Sequence, residues 1–145
     1  MNTILIFACV WAAMIAMGFW ESNIEGRNAW DKKKYGWKLK IGKYILSEYH
    51  FFLFIVMLPA LLLLPFVVSG WNLILFGVLL SAFTSGMIIE DLTWYLVNPK
   101  VKFKELYTKF SDYYPWVRIG KRKIIPVGYL LGIIVAVLSW YFIWR

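Results

Sequence analysis

The chain has one cysteine, Cys9, and one histidine, His50. A lone thiol excludes an intrachain disulfide framework and a cysteine metal site. Cys9 sits inside an apolar run and reads as a buried, inert thiol. A lone imidazole excludes a bis-histidine haem within one chain, and the Glu-x-x-His pair of carboxylate di-iron bundles is missing. No glycine-rich phosphate loop and no Ser-His-Asp order is present. Acidic residues are scarce too, 8 against 16 Lys and Arg. Neither internal repeats nor low-complexity tracts occur.

Apolar residues are what the chain has in excess. Of 145 residues, 61% are hydrophobic and 20% aromatic, and the mean hydropathy is +0.65. A soluble domain of this size cannot hide so much apolar surface. Four long apolar runs cover residues 3–20, 49–68, 71–97 and 124–144. Each approaches the roughly 20 residues needed to cross about 30 Å of hydrocarbon. Backbone groups in lipid must be bonded internally, and runs this long read as helices rather than barrel strands. The predicted fold is therefore all-α: a polytopic membrane protein whose residues 1–145 form a single four-helix transmembrane domain.

Charge placement predicts the orientation. Arg27, Lys32, Lys33, Lys34, Lys38, Lys40 and Lys43 lie between runs 1 and 2. Lys100, Lys102, Lys104, Lys109, Arg118, Lys121, Arg122 and Lys123 lie between runs 3 and 4, leaving only Arg145 elsewhere. With four spans these loops share one side, which the positive-inside rule makes cytoplasmic. A multi-pass protein of the cell membrane with both termini outside is expected. The formal charge of +8 then describes a basic face on anionic lipid headgroups and not a nucleic-acid binder. The first run has no positive residues ahead of it, so it reads as an uncleaved helix and not as a signal peptide.

Both basic loops carry aromatic residues. Phe103, Leu106, Tyr107, Phe110, Tyr113 and Tyr114 recur at helical spacing among charged residues, which predicts a short interfacial amphipathic helix ending near Pro115. In the first loop Trp30, Tyr35 and Trp37 interleave with lysines, and Trp37–Ile41 alternates apolar with basic. An aromatic-basic belt at the headgroups accounts for both. Ala8, Ala12 and Ala16 on helix 1, and Gly128 and Gly132 on helix 4, have the spacing that lets helices approach closely. Packing within the chain is the first expectation. A membrane-protein partner or a homo-oligomer through Gly128 and Gly132 is the other. Pro59 and Pro65 each remove a backbone bond from helix 2.

The candidate site lies where these helices meet the basic side. Glu90 and Asp91 are adjacent at the end of an otherwise apolar run, and ionisable groups there are functional suspects because burying charge in a membrane is costly. Counted from Trp71, Glu90 lies about 28 Å down its helix, near the inner edge of the hydrocarbon. Glu21, about 27 Å down helix 1, shares that layer with Glu25, Glu48, His50 and Asn98. Asp91 stands seven residues from both Thr84 and Asn98, which predicts one shared helix face. Glu21 and Glu25 align at i and i+4, and Ser47 is placed to cap helix 2.

One imidazole among several carboxylates suits a divalent metal such as Mg, Mn or Fe. Glu21, His50, Glu90 and Asp91 are the candidate ligands, with Glu90, Asp91 and His50 as the candidate acid, base or catalytic groups. Lys121 and Arg122 are placed to hold an anionic substrate group. The plainer reading is that these acids pair with Arg27 and nearby lysines and only set helix ends. Three functions follow in order: a metal-dependent membrane enzyme acting on an anionic lipid or isoprenoid-type substrate, a non-catalytic subunit of a membrane complex, and a small cation or proton transporter. The last is weakest, because only Ser81, Thr84 and Ser85 lead toward the membrane middle.

Overall fold

The computed structural model describes residues 2–27, 36–41 and 44–145 and is mostly helical. Among the described residues four helices are long and apolar enough to cross a membrane: α1 Thr3–Glu25, α2 Glu48–Ser69, α3 Leu73–Val97 and α4 Val127–Trp144. They fall on the four runs read from the sequence. α1 continues past Trp20 to Glu25, where Gly26 ends it with a φ of 61° that an L side chain resists. α4 begins three residues later than expected because Ile124–Pro126 belong to a strand. α3 ends at Asn98-Pro99, where the proline disfavours a further helical turn.

Two compact units form, Met1–Arg27 with Leu73–Arg145, and Asn28–Asn72. In the first unit α3 packs between α1 and α4, and glycines let the backbones approach. A Cβ on Gly18 of α1 would lie 2.7 Å from the Glu90 carbonyl, and one on Gly86 of α3 would lie 2.9 Å from Met14 Cγ. On the other side of α3, Gly132 of α4 approaches the Thr84 carbonyl, its Cβ position 3.1 Å away. Hydroxyls and indoles supply the cross-links: Trp11 Nε1 donates to Ser85 Oγ at 3.0 Å and Trp144 Nε1 to Ser81 Oγ at 2.9 Å. Ser139 Oγ donates to the Gly77 carbonyl at 2.9 Å.

Two expectations are corrected here, and the glycines of α4 divide. Ala8, Ala12 and Ala16 are exposed, because α1 turns its Met14–Gly18 side to α3 instead. Cys9 is exposed rather than buried for the same reason. Gly132 is occupied by packing inside the chain, whereas Gly128 meets nothing within 4 Å.

The segment after α3 differs most from the single amphipathic helix expected. It forms two short 3-10 turns, Phe103–Tyr107 and Lys109–Ser111. Strands β3 Trp116–Ile119 and β4 Arg122–Pro126 follow, paired as an antiparallel hairpin. Polar side chains take the backbone donors that a longer helix needs. Glu105 Oε1 accepts from Lys102 N at 3.1 Å and Thr108 Oγ1 from Phe110 N at 3.2 Å. Such local bonds compete with helix propagation, and Thr108 is extended between the turns. The reverse turn at Gly120 has a φ of 59°.

In the second unit a hairpin pairs β1 Lys38–Ile41 with β2 Tyr44–Ser47 and leads into α2. The Trp37–Ile41 alternation thus becomes a strand. Ser47 caps α2 as expected, its Oγ 2.5 Å from His50 Nδ1 and accepting from His50 N. Trp37 N donates to the Glu48 carboxylate at 2.9 Å, and its ring packs edge-on against Phe51. Phe51–Met57 winds as a wide π-helical stretch just before Pro59, whose missing N–H breaks the regular ladder. Trp30, Lys32, Lys33, Lys34, Tyr35 and Lys43 lie outside the described residues.

Candidate functional site

Consecutive residues on a helix point about 100° apart, so Glu90 and Asp91 of α3 serve different neighbours. Glu90 faces α1. Its carboxyl lies within hydrogen-bond reach of Glu21, and Glu21, Glu25 and Glu90 are only 4%, 7% and 5% exposed. The close passage at Gly18, one turn before Glu21, brings these carboxyls together across the α1–α3 seam. Glu90 Oε1 is buried with no hydrogen-bond donor among the described residues, as is Trp94 Nε1 without an acceptor one turn further on. Buried polar atoms are normally satisfied, so an orphan calls for a physical cause.

Asp91 faces the other way. Tyr114 Oη donates to Asp91 Oδ1 at 2.5 Å and lies 2.7 Å from Oδ2, while Tyr129 Oη on α4 donates to Oδ2 at 2.5 Å. Tyr95 and Tyr113 add a phenol–phenol bond of 2.8 Å beside it. Burial and the negative charge of Asp91 push the Tyr114 hydroxyl well above its ordinary value, so it remains a donor. Asp91 therefore ties α3 to α4 and to the loop. Of the expected shared face, Thr84 stands toward α4 as Asp91 does, its carbonyl beside Gly132, whereas Asn98 departs from it. Thr84 Oγ1 bonds back to the Leu80 carbonyl, and Asn98, beyond the helix end, donates to the Gly26 carbonyl at 2.7 Å.

Among the described residues outside the helices, Arg27, Glu105, Asp112, Arg118 and Lys123 pair in two clusters. Arg27 forks onto Glu105 at 2.6 and 3.1 Å, reaches the Lys100 carbonyl at 2.9 Å and lies over the Phe110 ring. That guanidinium holds the Glu105 carboxyl below its usual range. Lys123 and Arg118 meet Asp112 at 2.9 and 3.0 Å and, with Lys123 first in effect, lower its carboxyl as well. Lys123 also bonds the Ser111 hydroxyl and the Thr108 carbonyl. Lys121 and Arg122 stand exposed at the turn of the β3–β4 hairpin.

His50, in the second unit, has its ring against Tyr49 and Phe54 and its Nδ1 on Ser47. Of the predicted residues, the structure thus joins Glu21 with Glu90 and separates Asp91 from both. Tyr114 and Tyr129 were missed by sequence reasoning. The one signal for them was that a tyrosine three residues past Pro126 lies at the same end of the helices as Asp91. Comparison with known protein families, with characterised proteins and with solved structures finds no match.

Proposed function

We propose that this chain is a multi-pass enzyme of the cell membrane that holds a divalent metal at Glu21, Glu25 and Glu90 and acts on an anionic lipid or isoprenoid-type phosphate. The observation that carries this reading is the buried Glu90 oxygen without a donor, set beside a second buried carboxyl from another helix. Carboxylates gathered on neighbouring helices are how bundles hold metals, and an all-oxygen set suits Mg or Mn. A metal there would offset the carboxylate charge and polarise a phosphoryl oxygen of the substrate. In this reading the basic loops are cytoplasmic, the termini lie outside, and the segment from Lys100 to Pro126 rests in the headgroup layer. Asp91, whose oxygens are taken by phenols, positions α3 and α4.

Metal analysis of the protein purified in detergent tests this. The wild type should retain a divalent ion near one per chain, and Glu90→Gln and Glu21→Gln should each weaken it at least about tenfold, since losing even a residue that only supports a ligand costs about that much. Asp91→Asn should leave metal content unchanged. His50, a ligand expected from the sequence, is tested separately by His50→Ala. If the folded wild type holds no divalent metal at all, the enzyme reading fails and that of a non-catalytic subunit of a membrane complex takes its place.

A further inference from the structure

The chain contains no aspartate or glutamate after Asp112. The β3–β4 hairpin carries four cations beyond that point, and Asp112 takes two of them, Arg118 and Lys123. Lys121 and Arg122 at the tip are left exposed and have no ion-pair partner among the described residues. Apolar side chains accompany them: Ile119, paired in register with Arg122, is 72% exposed, and Ile124 is 44% exposed. β4 passes without a linker into α4. Val127 N donates to the Pro115 carbonyl at 2.8 Å, so the base of the hairpin is fixed to the first turn of a membrane-length helix.

Cations without counter-charge, beside isoleucines and at the end of a spanning helix, match an interfacial surface. Basic residues are drawn to an anionic leaflet, and apolar neighbours gain by leaving water. We infer that the hairpin tip docks into the anionic headgroup layer, Lys121 and Arg122 on phospholipid phosphates and Ile119 and Ile124 among the upper acyl carbons. This rests on the membrane reading of the helices, not on the metal, and makes bilayer phospholipid the anion that these two cations hold.

The test uses the full chain in lipid nanodiscs, in a Cys9→Ser background, with an environment-sensitive fluorophore on Ile119→Cys. A second variant, Val137→Cys, places the same probe on the exposed side of α4 as the membrane control. In phosphatidylglycerol discs the Ile119 probe should shift to the blue and lose severalfold in quenching by aqueous iodide, relative to phosphatidylcholine discs. Lys121→Glu with Arg122→Glu should restore the quenching. Full quenching of the Ile119 probe in both lipids, with Val137 protected, overturns the docking and leaves the tip in water. Equal protection in both lipids overturns the role of the two cations. Protection in phosphatidylcholine discs only after adding inorganic phosphate makes free phosphate the ligand and overturns the bilayer assignment. Quenching at Val137 as well defeats the membrane reading itself.

Discussion

Asp91 shows how much one residue's surroundings change its meaning. Ionisable and deep in an apolar run, it has the marks of a reactive group, yet two phenols fill its oxygens. Removing a donor from a buried acceptor costs about 1–3 kcal/mol. Tyr129→Phe should therefore lower the thermal unfolding midpoint in detergent, and Tyr114→Phe, which touches both oxygens, should lower it at least as much. Asp91→Asn, which keeps one acceptor, should lie between wild type and Asp91→Ala; equal stability of all four variants would show that the contact is idle. The acids outside the helices behave differently. Arg27 holds Glu105 below its ordinary value of 4.5. A depressed acid stabilises the fold above its ordinary value, and that contribution is lost as the pH falls through the depressed one. Amide exchange in residues 100–112 should therefore quicken below about pH 4.5 relative to neutral pH after correction for the intrinsic rate, and Glu105→Gln should already be fast at neutral pH.

At the scale of elements, the α1–α3 seam is set by backbone proximity. A methyl at Gly18 would strike the Glu90 carbonyl and the Thr93 side chain at 2.7 and 2.9 Å, whereas one at Gly128 meets nothing. Overpacking of this kind costs about 1–3 kcal/mol, so Gly18→Val should sharply reduce thermal stability and Gly128→Ala should not. An unchanged melting curve for Gly18→Val would mean that the helices separate freely. The four helices were legible in the sequence because each run is apolar and long enough to span a bilayer, a length at which such runs read as helix. The continuation of α1 to Glu25 was visible only as an i, i+4 pair of acids. The β3–β4 hairpin was not legible: strands this short, rich in charge and interrupted by Gly120, have no periodicity to detect. The aromatic spacing from Phe103 to Tyr114 resembles a helix, but its hydroxyls and carboxyls cap turns instead. Depth alone placed Glu21 and Glu90 in one layer. Phenols 23 and 38 residues from Asp91 could be found only once the chain was folded.

For the whole molecule, the proposed orientation predicts which charges water can reach from which side. Single cysteines at Lys40 and Lys121, again without Cys9, should react with a membrane-impermeant maleimide only after the cell is opened, whereas one at Asn72 should react from outside. Labelling of Lys121 in intact cells would invert the topology and with it the side on which the carboxyls lie. The joint at Pro126 has a mechanical implication. With its base closed by the Val127–Pro115 bond and no slack before α4, the hairpin is a lever whose fulcrum is the first helical turn. Tyr129 stands in that turn and holds Asp91. A sideways load on the tip therefore arrives at a carboxylate on another helix as torque, and a fluorinated Tyr129 should register it as a resonance shift when the lipid at the tip is changed.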